Sequence, residues 1–327
     1  MSTQTPSENP RSAVWPRLLP PGGTIGLCSP SGPTSDAAML ERGVAKLRDR
    51  GYKVVTTPHV LARDSARPYL AGTDDERLAD LNVLLNDPSV DMVLNTRGGY
   101  GAGKLLDRLD YDAIRRDPKP VVGYSDITAL NLAIAAQTGV VSFSGIMVTG
   151  KDNFSEDSLD PFSEASLWQN VTEGAFPRTL KHPEESEPWT IHRGPETITG
   201  PVFPVCLTLL STLLGTPYVP DLTGGILVIE DVNEELYAVD RALTQLRLAG
   251  IFDRLAAVLI GTFTGVEEEQ EQQLREQVPL LVQEMTPESV AVASGVAYGH
   301  VARRLTIPHG ATGTAHLTES TLTFDRN

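Results

Sequence analysis

A serine at the turn between a predicted strand and a predicted helix is the residue whose chemistry the sequence indicates most directly. The apolar pair Val121-Val122 precedes Gly123-Tyr124-Ser125-Asp126, and an apolar pattern with helical spacing begins at Ile127. On such a turn the serine hydroxyl is lifted clear of the sheet, and backbone N–H groups at the helix start can face a developing negative charge. The pattern is compatible with nucleophilic attack by Ser125, but Ser-Asp before an apolar helix is more often an ordinary helix cap, so the argument for a nucleophile depends on partners elsewhere in the chain.

Two further candidates for acid–base chemistry lie in the second half of the chain. Glu230 and Asp231 end the apolar run at residues 225–229, where a carboxylate either pairs with an arginine or orients an imidazole. His300 lies in a loop after a predicted strand at residues 289–293, where a general base would be useful. Serine, then acid, then histidine is one of the chain orders of Ser–acid–His triads, and the residues alone leave both carboxylates open.

A glycine-rich segment, Arg97-Gly98-Gly99-Tyr100-Gly101, follows the predicted strand Asp91–Thr96. It matches neither the dinucleotide-binding nor the P-loop pattern, so it does not indicate a phosphate loop. Paired glycines permit unusual backbone conformations, which either aim an amide at an oxyanion or simply make a tight turn. The arginine could bind a substrate carboxylate or brace the loop.

Composition and charge argue against several kinds of partner. The 327-residue chain has a net charge of −15 at pH 7, which disfavours nucleic acid and anionic membrane surfaces. Cys28 and Cys206 are far apart and predict buried free thiols, and the six histidines form no metal-binding pattern, so we expect no metal and no cofactor. Residues 1–17 are largely polar and do not resemble a signal peptide, and no apolar run approaches the ~20 residues that span a bilayer, so we expect a cytoplasmic protein.

The elements that must position these residues alternate in the rhythm of a parallel sheet. Besides the strand before Ser125 and the strand at 289–293, the predicted strands are Thr24–Ser29, Tyr52–Thr57, Asp91–Thr96, Val140–Ser144, 225–231 and 256–263. The predicted helices include Ala37–Arg50, Asp74–Asn86 and Glu271–Glu284. Because the carboxyl ends of parallel strands share one edge, the loops after Ser29, Thr96 and Tyr124 are expected to share one rim.

The same pattern predicts an α/β fold in two domains. We expect a flexible tail at residues 1–19 and an N-terminal parallel-sheet α/β domain with the serine at 20–150. Residues 151–199, where Glu, Asp, Pro and Trp dominate, predict a linker with an irregular loop, and the sequence does not indicate whether this segment closes over the site. A second, C-terminal α/β domain at 200–327 carries the glutamate and the histidine.

Six segments, taken in order, resemble the L,D-carboxypeptidase family of serine peptidases, which includes muramoyltetrapeptide carboxypeptidases and microcin C immunity peptidases. They are Arg97-Gly98-Gly99-Tyr100-Gly101, Gly123-Tyr124-Ser125-Asp126, Ser142-Phe143-Ser144-Gly145, Gly215-Thr216-Pro217, Ile229-Glu230-Asp231-Val232-Asn233-Glu234, and Tyr298-Gly299-His300 followed by Leu305, Pro308 and Gly310. The resemblance covers nearly everything from residue 23 to about residue 313.

The resemblance implies an active site at the junction of the N-terminal domain and a smaller C-terminal α/β domain, and it implies a role for each candidate. Ser125 would be the nucleophile, His300 the general base and Glu230, rather than Asp231, the carboxylate that orients it. The backbone amides of Gly99 and Asp126 would form the oxyanion hole. Members of the family are commonly homodimers.

The substrate implied by the resemblance is a murein tetrapeptide that loses its terminal D-alanine in peptidoglycan recycling. Arg97, Tyr100 and Trp189 are the candidate substrate contacts. The alternative is a microcin C-like immunity peptidase that cleaves peptidyl- or aminoacyl-nucleotide amides. Immunity peptidases of this kind stack the nucleotide base on aromatic residues in the loop after the first domain, and Trp168 and Trp189 lie in that region here. Either tryptophan could instead serve as an apolar anchor of the packing.

One segment departs from the family pattern. Pro204-Val205-Cys206 stands where members usually have Gly-Gly-Asn. The departure keeps open a third hypothesis, a ligand-binding protein on the same scaffold that has lost turnover.

Overall fold

A parallel sheet forms the first half of the structure, a computed structural model that describes residues 13–34, 36–265 and 267–326. Its strands are β1 (Thr24–Cys28), β2 (Lys53–Thr56), β3 (Met92–Asn95), β4 (Val121–Val122) and β5 (Ser142–Ser144). The helices that accompany them are α1 (Ala37–Asp49), α2 (Asp74–Asn86), α3 (Tyr111–Arg116) and α4 (Thr128–Thr138). The strand order is β5-β4-β3-β1-β2, all parallel, so the loops that follow β1, β3 and β4 share one rim as predicted.

Local sequence signals set the ends of these helices. The side chain of Thr73 accepts a hydrogen bond from the backbone N–H of Glu76, and the Glu76 carboxylate accepts one from the N–H of Thr73, so α2 begins with a capping box. Gly139, with φ of 74°, ends α4 in the left-handed conformation that glycine adopts most easily. Helix α4 is buried on nearly every side, which fixes the turn that precedes it.

An eight-stranded mixed sheet forms most of the second half. The helices and strands of this half are α5 (Pro161–Val171), β6 (Arg178–Lys181), β7 (Thr190–Arg193), β8 (Thr197–Cys206), α6 (Leu207–Leu213), β9 (Ile226–Val232), α7 (Leu236–Leu248), β10 (Ala257–Thr264), α8 (Glu268–Met285), β11 (Ala291–Ser294), β12 (Ile307–His309), β13 (Thr312–His316) and β14 (Thr321–Phe324). All of these strands except β12 belong to the eight-stranded sheet. The order is β6-β14-β13-β8-β9-β10-β11-β7, and β8 to β11 are parallel to one another.

The two sheets are tied together by β12. This strand pairs antiparallel with β5, with Ile307 opposite Ser144 and His309 opposite Ser142, and so completes the first sheet with six strands. The segment that begins at His300 therefore runs from the second sheet into the first one. This crossing carries the histidine loop towards the serine turn.

Residues 151–199 are more ordered than the sequence indicated, so the expected irregular linker is wrong for this segment. Asp160 caps α5 by accepting a hydrogen bond from the backbone N–H of Phe162. Strands β6 and β7 lie at the two edges of the eight-stranded sheet. Some of the acidic and proline residues that suggested a linker, such as Glu184, Glu185 and Pro188, lie in exposed turns between these elements.

The expected flexible tail at residues 1–19 can be compared with the structure only from residue 13, because residues 1–12 lie outside the described residues. For residues 13–19 the expectation is wrong. Val14 forms a bridge with Val140, and Leu19 is fully buried. The guanidinium of Arg17 pairs with Asp117, with 2.9 Å between Nε and Oδ1. Residues 13–19 are therefore packed along the first sheet.

None of the helices in the described parts of the chain combines the length and the apolarity that crossing a bilayer requires.

Candidate active site

The serine turn has the strained backbone expected of a nucleophile turn. Ser125 has φ of 63°, in the left-handed region that residues other than glycine seldom occupy. The turn runs from β4 through Ser125–Ile127 into α4, and the side-chain amide of Asn131 donates to the carbonyl of Gly123 at 3.0 Å. Such a conformation costs on the order of 1 kcal/mol and persists only where the surroundings enforce it. Here the buried α4 enforces it, and Ser125 itself remains partly accessible.

The glycine-rich segment lies directly against this serine. A Cβ atom on Gly98 would lie 2.8 Å from the Cβ of Ser125 and 2.9 Å from its Oγ, so only glycine fits there. Gly99 has φ of 115°, again outside the range of other residues. The N–H of Gly32 donates to the carbonyl of Gly98 at 3.1 Å, which anchors the segment on the loop after β1.

The carboxylate of Asp126 joins three rim loops. Its Oδ2 accepts hydrogen bonds from the Ser31 hydroxyl at 2.6 Å and from the backbone N–H of Ala102 at 2.8 Å. Burial raises the pKa of Asp126, while the bonds from Ser31 and Ala102 oppose that shift. Ser31 was not among the candidates from the sequence, although its loop after β1 was expected on this rim.

Glu230 and His300 are in direct contact. Nδ1 of His300 lies 2.7 Å from Oε2 of Glu230, whose side chain is only 1% exposed. Burial raises the pKa of Glu230, while the neighbouring imidazole of His300 opposes that shift. The other carboxylate, Asp231, accepts hydrogen bonds from the N–H of Thr208 at 2.8 Å and from the Cys206 thiol at 3.3 Å. The structure therefore pairs the glutamate, and not the aspartate, with the imidazole.

The histidine loop and the serine turn lie side by side. The rings of Tyr124 and His300 have their centroids 5.0 Å apart, and Tyr124 directly precedes Ser125. A second bridge joins the Tyr298 hydroxyl to the Ser144 hydroxyl at 2.8 Å, both of them buried. Tyr298 lies in the same segment as His300, but nothing in the sequence indicated its partner on β5.

Two of the three candidate substrate contacts lie on this rim. The guanidinium of Arg97 donates to the carbonyl of Pro33 at 3.1 Å, so it braces the neighbouring loop. Tyr100 is 56% exposed and its ring meets that of Tyr69 edge-on at 5.8 Å. Both rings face solvent at the mouth of the site.

Trp189 does not lie at the site as a ligand contact would. Its ring is only 5% exposed, packs in the hydrophobic core and donates through Nε1 to Nδ1 of His182 at 3.2 Å. Trp168 is equally buried and stacks on Tyr52 at 5.1 Å. A buried ring cannot stack on a nucleotide base from solvent. The expectation that Trp189 contacts the substrate is therefore corrected, and its ring packs in the core instead.

The described residues contain no group of three or more His, Cys, Asp or Glu side chains placed to hold a metal ion. Their site is a serine, an imidazole and a carboxylate, with backbone N–H groups beside the serine. Both cysteines, Cys28 and Cys206, are buried free thiols.

Comparison with known proteins finds matches over most of the chain. The LD-carboxypeptidase N-terminal domain matches residues 25–145, and the LD-carboxypeptidase C-terminal domain matches residues 199–315. A Streptomyces coelicolor protein is 37% identical over 323 residues, which are 97% of each chain. The murein tetrapeptide carboxypeptidase of Pseudomonas aeruginosa is 31% identical over 253 residues, 75% of this chain and 78% of its own.

Two solved structures share the fold over almost their whole length. Muramoyltetrapeptide carboxypeptidase from Oxalobacter formigenes superposes with a TM-score of 0.77 at 26% identity, covering 93% of this chain and 99% of its own. The microcin C7 self-immunity protein MccF, in complex with aspartyl sulfamoyl adenosine, superposes with a TM-score of 0.81 at 26% identity, covering 95% and 99%. These matches confirm the family resemblance and the two-domain α/β fold expected from the sequence. The protein belongs to the LD-carboxypeptidase family and is a serine-type carboxypeptidase.

Proposed function

We propose that Ser125, His300 and Glu230 are the nucleophile, the general base and the orienting carboxylate of this carboxypeptidase. The observation that carries the proposal is the 2.7 Å contact between His300 Nδ1 and Glu230 Oε2. Because Nδ1 is committed to the glutamate, Nε2 is the ring nitrogen left to take a proton from the serine. The His300 ring meets Tyr124, the residue next to Ser125, which supports this pairing.

The reaction is acyl transfer through a covalent intermediate. His300 takes the proton of Ser125 as Oγ attacks the carbonyl carbon of the scissile amide. The backbone N–H groups of Gly99 and Asp126 stabilise the resulting oxyanion, and one such donor is worth about 2.7–4 kcal/mol. His300 then protonates the leaving amine, and a water molecule, deprotonated by the same imidazole, hydrolyses the acyl-enzyme. Glu230 holds the ring in the required tautomer and stabilises the imidazolium.

The substrate we propose is a murein tetrapeptide whose terminal D-alanine is the leaving group. The support is the similarity to proteins named murein tetrapeptide and muramoyltetrapeptide carboxypeptidase. A wall peptide released for recycling in the cytoplasm would be the source of this substrate. Arg97 would receive the terminal carboxylate with the nitrogens that do not bind Pro33, and Tyr100 would contact the peptide at the rim.

A second candidate is hydrolysis of an aminoacyl-nucleotide amide. It is favoured by the similarity to MccF, which has been solved with aspartyl sulfamoyl adenosine. Since Trp168 and Trp189 are buried, a base on this protein would have to stack elsewhere. Tyr69 and Tyr100 present exposed rings at the rim that could serve.

Mass spectrometry of the products separates these candidates. The purified protein is incubated with murein tetrapeptide in the presence of a chelator, with Ser125→Ala and His300→Ala alongside. We expect loss of one D-alanine with the wild-type protein and with neither variant, although both variants remain folded by circular dichroism. Wild-type activity in either variant would refute the triad.

The same incubation with aspartyl sulfamoyl adenosine tests the second candidate. Cleavage of that compound, with the tetrapeptide left intact, would replace the murein proposal. Binding of either compound without turnover, unchanged in Ser125→Ala, would indicate a ligand-binding protein instead.

A further inference from the structure

Arg304 is a buried cation with no carboxylate partner among the described residues. It is only 2% exposed, and no Asp or Glu described by the structure lies within ion-pair distance of its guanidinium. A buried charge is costly unless other groups compensate for it. The groups that compensate for this one are therefore informative.

Two backbone carbonyls accept hydrogen bonds from the guanidinium. Nη1 donates to the carbonyl of Gly299 at 3.2 Å, and Nη2 donates to the carbonyl of Asp152 at 2.7 Å. Gly299 directly precedes His300, and Asp152 lies in the loop that follows β5. The bond to Gly299 thus holds the histidine loop, and the bond to Asp152 holds the Arg304 guanidinium against the first half of the chain.

The guanidinium also lies over an aromatic ring of the serine turn. Its Cζ lies 4.2 Å from the centroid of the Tyr124 ring, which is 6% exposed. The Tyr124 ring in turn has its centroid 5.0 Å from that of His300. Arg304 therefore contacts the residue before Ser125 by a cation–π contact and the residue before His300 by a hydrogen bond.

The backbone of Arg304 is itself anchored. Its N–H donates to the Ser163 hydroxyl of α5 at 2.8 Å, and that hydroxyl donates to the carbonyl of Ala302 at 2.8 Å. The guanidinium accordingly projects from a fixed point between the two sheets. The charge of Arg304 also favours the ionised form of Glu230, the pKa of which burial raises.

We propose that Arg304 is a positioning residue that holds the serine turn and the histidine loop in register, through Tyr124 and the carbonyl of Gly299. The inference rests on the proposed roles of Ser125 and His300. Without the guanidinium, the two residues would still be present but their relative position would be set less tightly. A displacement of about 1 Å between reacting groups costs roughly 10²-fold in rate.

The test uses the full-length protein and paired variants. Arg304→Met removes the charge and both donors, while Arg304→Lys keeps the charge and loses the planar face. Tyr124→Leu removes the ring, while Tyr124→Phe keeps it. The matched control is Arg303→Met, because the neighbouring Arg303 is a partly exposed arginine paired with Asp160 and Glu185.

Two assays are run at matched fractions of folded protein. Steady-state kinetics on the cleaved substrate give kcat and KM, and a fluorophosphonate gives the rate at which Ser125 is labelled. We expect Arg304→Met and Tyr124→Leu each to lower kcat and the labelling rate by about 10²-fold with KM changed by less than about threefold. Arg304→Lys should fall in between, and Tyr124→Phe and Arg303→Met should behave like wild type. The double variant Arg304→Met/Tyr124→Leu should lose less than the product of the two single losses and little more than Arg304→Met alone, because both changes remove the Arg304–Tyr124 contact and Arg304→Met already removes the bond to Gly299.

The proposal is overturned if Arg304→Met or, should that variant fail to fold, Tyr124→Leu keeps wild-type kcat and labelling rate. It is also overturned if Tyr124→Phe loses as much as Tyr124→Leu, because then the hydroxyl and not the stacked face would matter. Failure of the proposed function looks different. In that case wild type would not be labelled at Ser125, or Ser125→Ala would retain turnover, before any Arg304 variant is compared.

Discussion

The Cα of Gly98 faces Ser125 so closely that a Cβ atom on Gly98 would lie 2.8 Å from the Cβ of Ser125 and 2.9 Å from its Oγ. Real Cβ atoms do not approach other atoms at such distances, so a larger residue would have to displace the serine or the loop. The next residue, Gly99, carries one of the two N–H groups proposed for the oxyanion hole. The same close packing that excludes a side chain therefore brings the proposed donor and the proposed nucleophile together.

Gly98→Ala is expected to impair turnover far more than folding. Accommodating the methyl group costs about 1–3 kcal/mol of strain, and a shift of the serine lowers kcat by roughly 10²-fold. The matched control is Gly103→Ala, because a Cβ there meets no atom within 4 Å. Steady-state kinetics with both variants check this, and equal kcat values for the two would contradict the packing argument.

Ser125→Gly and Ser125→Ala should both be inactive, yet they should differ in stability. Ser125 has φ of 63°, which alanine tolerates poorly and glycine tolerates well. The free energy of unfolding of the glycine variant should exceed that of the alanine variant by at least about 1 kcal/mol, because the strain of alanine at positive φ outweighs the entropy that glycine adds to the unfolded state. Urea denaturation measures the difference, and an alanine variant of equal or greater stability would show that the turn is not strained.

Glu230→Gln should lower kcat by about 10⁴-fold while leaving the fold intact. The amide can no longer hold the imidazole in the required tautomer or stabilise its charged form, as in the Asp→Asn variant of a serine protease triad. Asp231→Asn is the comparison, because Asp231 bonds to Thr208 and Cys206 rather than to the imidazole. Kinetics of both variants decide between the two carboxylates, and a larger loss in Asp231→Asn would reverse the assignment.

The buried position of His309 predicts that the free energy of unfolding falls at acid pH. The ring is fully buried beside Phe203, with centroids 5.5 Å apart, and neither ring nitrogen has a hydrogen-bond partner among the described residues. Burial lowers the pKa of His309 from 6.5 to about 3. Because the folded state binds this proton less readily than the unfolded state, the stabilising contribution is complete above pH 6.5 and is lost progressively as the pH falls towards 3.

The measurement is the unfolding free energy of wild type and of His309→Leu at pH 7.5 and at pH 4.5. Between these values the wild type should lose about 3 kcal/mol more than the variant, since one proton linked over two pH units contributes that much. Carboxylates titrate in both proteins and cancel in the comparison. Parallel losses in the two proteins would mean that His309 takes up its proton without unfolding.

The sequence predicted the candidate chemistry better than the connections around it. Ser125 follows the strand β4, and Glu230 lies near the end of β9 after an apolar run, so local patterns were enough to single out both residues. The two strands belong to different sheets, so the shared edge of one sheet could not indicate that they meet. Residues 151–199 escaped prediction because β6 and β7 are four-residue edge strands whose partners lie far along the chain. The cap at Asp160-Pro161 was a local signal that could have revealed α5.

Other contacts had no local signal at all. Residues 13–19 are held by partners such as Val140 and Asp117, which composition cannot reveal. The stacking of Arg304 on Tyr124 likewise joins residues 180 positions apart, as the numbering shows. Side-chain contacts between distant segments depend on the final packing of both sheets, and a pattern of residue types along the chain does not specify them.

The bond from Ser31 to Asp126 gives a last prediction about the proposed oxyanion hole. Oδ2 of Asp126 accepts from both the Ser31 hydroxyl and the N–H of Ala102, and it thereby holds the loop that begins at Gly98 beside the serine turn. Asp126→Asn can place its carbonyl oxygen where Oδ2 lies and keep both bonds, whereas Asp126→Ala loses both.

We therefore expect kcat to fall by about 10²-fold in Asp126→Ala, and by less than about tenfold in Asp126→Asn. Ser31→Ala, which removes one of the two bonds, should lie between them. Fluorophosphonate labelling of Ser125 should follow the same order with KM little changed. If instead Asp126→Asn were as impaired as Asp126→Ala, the buried negative charge would matter rather than the two hydrogen bonds, and the anchoring of the loop would need another explanation.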